Sequence, residues 1–153
     1  MRIFLVFLLF CLSGPAMADS FTYKNDRFGT SAELPLILKP TTAAGNGDGY
    51  RFNYPGLIGT ASVWGGYNTE EGGREGYKHY VSGFYDEITY SASRNDWFVL
   101  SGWVKGKIFY LRVQGCNAGP FHHIYFEFPE NEKPMWQPII EQFAKTVHGP
   151  CSN

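Results

Sequence analysis

Trp97-Phe98-Val99-Leu100-Ser101-Gly102-Trp103-Val104-Lys105-Gly106-Lys107-Ile108-Phe109-Tyr110-Leu111-Arg112-Val113 is the stretch that decides the fold. Two strand-like runs, Trp97 to Val104 and Lys107 to Val113, flank Lys105-Gly106, a connection short enough to close a β-hairpin. Downstream, Phe121 to Phe128 reads as a further strand with Ile124, Phe126 and Phe128 on one side. A helix follows. Trp136, Ile139, Ile140, Phe143 and Val147 recur at three- and four-residue spacing and make one apolar stripe. Pro134 and Pro138 fit only in or before a first turn, so the regular helix is expected from about Met135, with Gly149-Pro150 ending it.

Upstream of the hairpin the pattern stays strand-rich. Glu87 to Ser93 alternates, with Ile88, Tyr90 and Ala92 on one face, and Arg94-Asn95-Asp96 turns the chain into Trp97. Thr60 to Trp64 alternates as a half-buried strand would, and Asn46-Gly47-Asp48-Gly49 is a tight turn into Tyr50 to Tyr54. Pro35 to Ala44, with two prolines, reads as an irregular connection, and Phe21 to Tyr23 with Phe28 to Leu34 as a hairpin around Asn25-Asp26. Residues 69–85 stay open between helix and loop. Asn68 with Glu71 could cap a helix, but Gly72, Gly73 and Gly76 each cost about 1 kcal/mol relative to Ala. The pattern predicts a single α+β domain over residues 19–153: an antiparallel sheet with the C-terminal amphipathic helix, and a possible middle helix, packed on it.

The first line of sequence predicts export. Arg2 precedes an unbroken apolar run from Ile3 to Leu12, Ser13-Gly14-Pro15 breaks any helix, and Ala16-Met17-Ala18 is an A-x-A cleavage site. Ten apolar residues rise about 15 Å as a helix, against about 30 Å for a hydrocarbon core. Residues 1–18 are therefore read as a signal peptide, with a mature chain from Asp19 in the periplasm or secreted. Cys11 leaves with that leader, and Cys116 and Cys151 remain in a compartment where thiols are oxidised. Bridging them closes a loop of about 36 residues, worth about 3–4 kcal/mol in the chain-entropy model.

Charge and spacing narrow the function classes. The chain has 13 basic and 14 acidic side chains and no basic run, which argues against nucleic acid or an anionic membrane as the main partner. His122-His123 is no metal pair in a strand, because adjacent side chains point to opposite faces. His123 and Glu127 share a face but sit about 13 Å apart. The glycine-rich turn at 46–49 leads into a strand, so it supplies no helix N-terminus for a phosphate. Two oxygen side chains there also fall short of a calcium loop. No G-x-S-x-G elbow and no C-x-x-C occurs. No catalytic residue, metal ligand or cofactor is assigned, although a fold can assemble catalytic groups that sequence neighbourhood does not reveal.

The stretch Trp64 to Tyr85 stands out, with six aromatics and six glycines in 22 residues. Rings, glycine, serine and asparagine make up adaptable recognition surfaces, though aromatics roof cores as readily. Trp64, Tyr67, Tyr77, Tyr80, Ser82, Gly83, Phe84 and Tyr85 are the candidate binding residues.

Two resemblances bear on these readings. Phe28-Gly29, Asn46-Gly47-Asp48-Gly49 followed by Phe52, Trp64-Gly65-Gly66-Tyr67-Asn68, Trp97 to Gly102, Gly106 to Tyr110 and the strand-then-helix Phe126 to Val147 occur in that order. In this the chain resembles a group of small secreted bacterial proteins with the fold of the photosystem extrinsic protein PsbP. That resemblance implies an antiparallel sheet with helices packed on it and carries no active site. Ser82-Gly83-Phe84-Tyr85 is similar to the S-G-x-Y loop that periplasmic lysozyme inhibitors insert into the lysozyme cleft. The function expected is a non-catalytic binding module without a cofactor, whose partner is another protein or a cell-envelope component. A periplasmic lysozyme inhibitor and a small envelope hydrolase are the alternatives.

Overall fold

The computed structural model describes residues 19–116 and 118–151, so the expected leader, residues 1–18, lies outside it. Nine strands and two α-helices follow one another: β1 (Ser20–Lys24), β2 (Ser31–Pro35), β3 (Lys39–Ala43), β4 (Gly49–Asn53), β5 (Thr60–Tyr67), α1 (Gly73–Ser82), β6 (Glu87–Ser93), β7 (Trp97–Val104), β8 (Lys107–Gln114), β9 (Pro120–Phe128) and α2 (Lys133–Phe143). β1 and β2 form a separate hairpin. The other seven strands form one antiparallel sheet in the order β3-β4-β5-β9-β8-β7-β6. Two meanders, β3 to β5 and β6 to β9, meet where β5 pairs with β9, and α1 carries the chain from one to the far edge of the other. The β7–β8 hairpin turns on Lys105 (φ 48°) and Gly106 (φ 75°), the left-handed pair that a two-residue turn needs to match strand twist.

The pleat of β9 feeds two cores. Ile124, Phe126 and Phe128 face α2 and the β1–β2 hairpin, packing with Leu34, Val63, Trp136 and Phe143. Phe121, on the other face, joins Phe98, Leu100, Phe109, Leu111 and Val113 beneath Val81 of α1. Trp136 is fully buried, stacked on Phe128 at 5.9 Å, and its indole N–H donates to Glu132 over 3.1 Å. Glu132 also accepts the backbone N–H groups of Ile58 (2.7 Å) and Gly59 (2.9 Å). A buried carboxylate with three donors is a tether and not a liability. It pins the start of α2 to the β4–β5 connection.

The middle helix forms. Gly72 precedes it and Gly73 opens it, so of the three glycines only Gly76 bears the interior helix penalty, and the packing of Tyr77 and Val81 on the sheet outweighs it. The expected Asn68–Glu71 cap is not what starts it. Asn68 Oδ1 accepts the N–H of Glu70 and its amide donates to the carbonyl of Gly73.

Three local expectations need correction. Lys39–Ala43 is a strand where an irregular connection was expected, because an edge strand with a bulge near Pro40 tolerates a residue without an N–H. In β6 a register shift between Ile88 and Tyr90 puts those two residues on opposite faces and leaves Tyr90 57 % exposed. α2 starts at Lys133 with Pro138 inside it, and stops at Phe143 before a 3-10 turn over Ala144–Thr146. The chain leaves the helix there because His148 exchanges two backbone hydrogen bonds with Ser31, of 2.8 and 2.9 Å. Val147 stays buried without being helical. Cys116 and Cys151 are bridged, with Cα atoms 5.7 Å apart, tying the chain's end to the β8–β9 connection. Among the described residues no helix is long and apolar enough to cross a membrane.

Candidate functional site

The α1 face of the sheet carries a row of rings that starts and ends at the turn after α1. Phe84 meets Tyr80 edge-on at 5.0 Å, and Tyr80 is 6.4 Å from Tyr77. Tyr77 lies 5.6 Å from the ring of His123, on which Trp64 stacks at 4.6 Å and 3°. Trp64 meets Tyr125 edge-on at 6.4 Å, and Tyr85 closes the row by stacking on Phe109 at 3.7 Å, beside Tyr125. Five of the eight candidate residues lie on this row: Trp64, Tyr77, Tyr80, Phe84 and Tyr85. They divide sharply by exposure. Tyr80 and Phe84 are 47 % and 59 % exposed, whereas Trp64, Tyr77 and Tyr85 pack against the core beneath α1.

The other three candidates fall outside it. Tyr67 is exposed but meets Phe28 edge-on at 5.4 Å, and its pairing with Pro120 puts it on the opposite face from Trp64. Ser82 sits in the last turn of α1 with its hydroxyl donating to the carbonyl of Lys78, and Gly83 caps the helix. Ser82-Gly83-Phe84-Tyr85 is a helix end and the turn after it, with Phe84 exposed and Tyr85 stacked on Phe109.

His123, fully buried at the centre of the row, is held in one state. Its Nδ1 lies 3.3 Å from the carbonyl of Trp64, which can only accept, so Nδ1 carries the proton. Nε2 then accepts from the Tyr77 hydroxyl at 2.9 Å. Burial pushes the imidazole down to about 3, against the pull of the Trp64 carbonyl, so the ring is neutral at pH 7. Burial likewise pushes the Tyr77 phenol up to about 12. His122 points the other way, between the Thr30 hydroxyl (2.7 Å) and the carbonyl of Pro150 (3.1 Å). The two histidines thus part company, as strand geometry requires. Among the described residues no group of three His, Cys, Asp or Glu side chains could hold a metal ion.

Sequence reasoning missed the polar end of the site. Tyr125 donates to Glu127 (2.9 Å), which also accepts from Lys107 (2.9 Å). Burial works against the charge of Glu127, but these hydrogen bonds and the nearby charge of Arg51 outweigh it and hold the carboxyl below its ordinary value. By register Arg51, Ser62 and Thr42 lie on the same face as Trp64. Together with Asn46 and Asp48 they line a cavity of about 450 Å³ over β3, β4 and β5. One signal was available: His123, Tyr125 and Glu127 alternate on β9 and must share a face. A second hollow of about 380 Å³, between α2 and β7, contains none of the candidate residues.

No protein-family model and no curated protein matches the sequence. Solved structures do match. The solution structure of cyanobacterial PsbP (CyanoP) from Synechocystis sp. PCC 6803 superposes with a TM-score of 0.62 at 14 % identity, over 93 % of this chain and 99 % of that one. A crystal structure from Bacteroides thetaiotaomicron VPI-5482 follows with a TM-score of 0.51 at 11 % identity, over 87 % of this chain and 48 % of the other. At such identities the likeness speaks for architecture alone. The chain has a PsbP-like α+β fold.

Proposed function

We propose that the chain is a non-catalytic binding module working outside the cytoplasm, periplasmic or secreted, which docks a protein or a cell-envelope component on the aromatic α1 face. The observation that carries this reading is the Tyr80–Phe84 pair, two large rings packed edge-to-face on the surface, continuous with rings fixed by the core. Exposed aromatics on a rigid backing give contact area at small entropic cost and supply the anchors of interfaces. His123 supports a binding role over a catalytic one, since both ring nitrogens are committed and the ring holds no exchangeable charge near neutrality. The leader pattern and the Cys116–Cys151 bridge support the compartment, because disulfides persist where thiols are oxidised.

A photo-crosslinking amino acid at position 84, in cells exporting the full chain, tests this. Expected is one discrete adduct that the same probe at Ile58, 70 % exposed and remote in the fold, does not give. Equal capture at both positions, or none at 84, overturns it.

A further inference from the structure

We infer that the cavity beside Trp64 is a binding site for an acidic saccharide, a pyranose chain bearing carboxylates; this rests on the reading of the α1 face as a docking surface and names the ligand class for its polar end. The indole of Trp64 is oriented from behind: one face lies on His123, which Tyr77 and the Trp64 carbonyl hold. Across the strand pair Trp64 faces Gly49 of β4, where a Cβ would collide with the Val63 carbonyl and the Trp64 Cβ, so no side chain stands at that position. Trp64 lines the cavity. A flat, half-buried indole with a negative face is the surface on which the polarised C–H groups of a sugar ring settle.

The surrounding groups set the rest of the chemistry. Thr42 and Ser62 offer two hydroxyls on the lining, partners for the hydroxyls of a sugar ring, while the Asn46 amide is held by Asp48. Charge adds the acidic element. Asp48 is paired with Arg27 at 2.7 Å and Glu127 with Lys107 at 2.9 Å. Arg51, exposed on the cavity floor, forms no ion pair and no side-chain hydrogen bond among the described residues. The cluster therefore carries one uncompensated guanidinium, in a chain whose formal net charge is −1. A guanidinium is suited to bidentate contact with a carboxylate. A nucleotide fits less well, because the other aromatic on the lining, Tyr50, lies by register on the opposite face of the sheet and leaves no second ring to sandwich a base. The cavity volume of about 450 Å³ falls within the range of small-ligand sites, about 300–1,000 Å³.

Calorimetry and tryptophan fluorescence on the exported protein, with trigalacturonate, chitotriose and adenosine monophosphate as probes, decide the matter. Saturable binding of trigalacturonate is expected, at least tenfold tighter than chitotriose. Arg51→Gln, a surface change that leaves the melting temperature in place, should weaken it at least tenfold. Trp64→Phe should remove the fluorescence change and lower affinity. No binding of trigalacturonate at millimolar concentration overturns the inference. So does equal binding of chitotriose with Arg51→Gln silent, or preference for adenosine monophosphate. Crosslinking from position 84 is scored separately. An adduct there without saccharide binding leaves the docking surface standing and removes only the saccharide.

Discussion

Beneath α2, Trp136, Phe126 and Phe143 fill the space between helix and sheet with hydrocarbon, and the buried carboxylate Glu132 has three donors. Beneath α1, Tyr77 and Trp64 close over an imidazole, and beyond Tyr125 the same face opens into charged and hydroxyl-bearing groups. Both faces belong to one sheet and draw on alternate residues of the same β9 strand. Their difference shows how a small fold divides labour. One face buries the larger apolar cluster, and the other keeps large rings in place while leaving two of them, Tyr80 and Phe84, in solvent.

The largest effect that would break this comparison lies under α2. Phe143→Ala is expected to cost about 3–5 kcal/mol as a large-to-small change in a sealed core, read by chemical denaturation. A loss below about 1 kcal/mol would mean that the α2 face is the loosely packed one.

The next effect, under α1, depends on pH. The unfolded chain protonates His123 below about 6.5, whereas the native ring stays neutral down to about 3. Between those values the unfolded state binds more protons, so stability falls as the pH drops. Within this account His123 alone removes about 2 kcal/mol by pH 5. Burial also lowers His122, which acts with the same sign. Urea midpoints at pH 7.5 and pH 5 should therefore differ, and His123→Gln should shrink the difference. A pH-independent midpoint would contradict the buried, neutral imidazole.

The contrast also explains what could be read from the sequence. The hairpin at Lys105-Gly106, the β9 strand and the apolar stripe of α2 were legible because each follows one period, and its residues face one environment. The end of α2 was not, since Val147 continues the helical spacing while its neighbour His148 is drawn off by Ser31, a partner distant in sequence. Tyr90 was misplaced by a one-residue bulge that no local pattern announces. At the site, composition marked Trp64 to Tyr85 as unusual but could not sort its rings. Burial of Tyr77 and Tyr85 depends on Phe121, His123 and Phe109, which come from strands later in the chain. Arg51, Lys107 and Glu127 converge only through sheet pairing.

The smallest effect on folding tests the central claim most directly. Tyr80→Ala with Phe84→Ala, measured for unfolding free energy and for formaldehyde-crosslinked capture of the partner on one preparation, asks whether these rings serve binding and not the core. The account predicts a stability change within about 0.5 kcal/mol for each ring, with capture lost. A strongly destabilised double variant, or a stable one that still captures its partner, would contradict it.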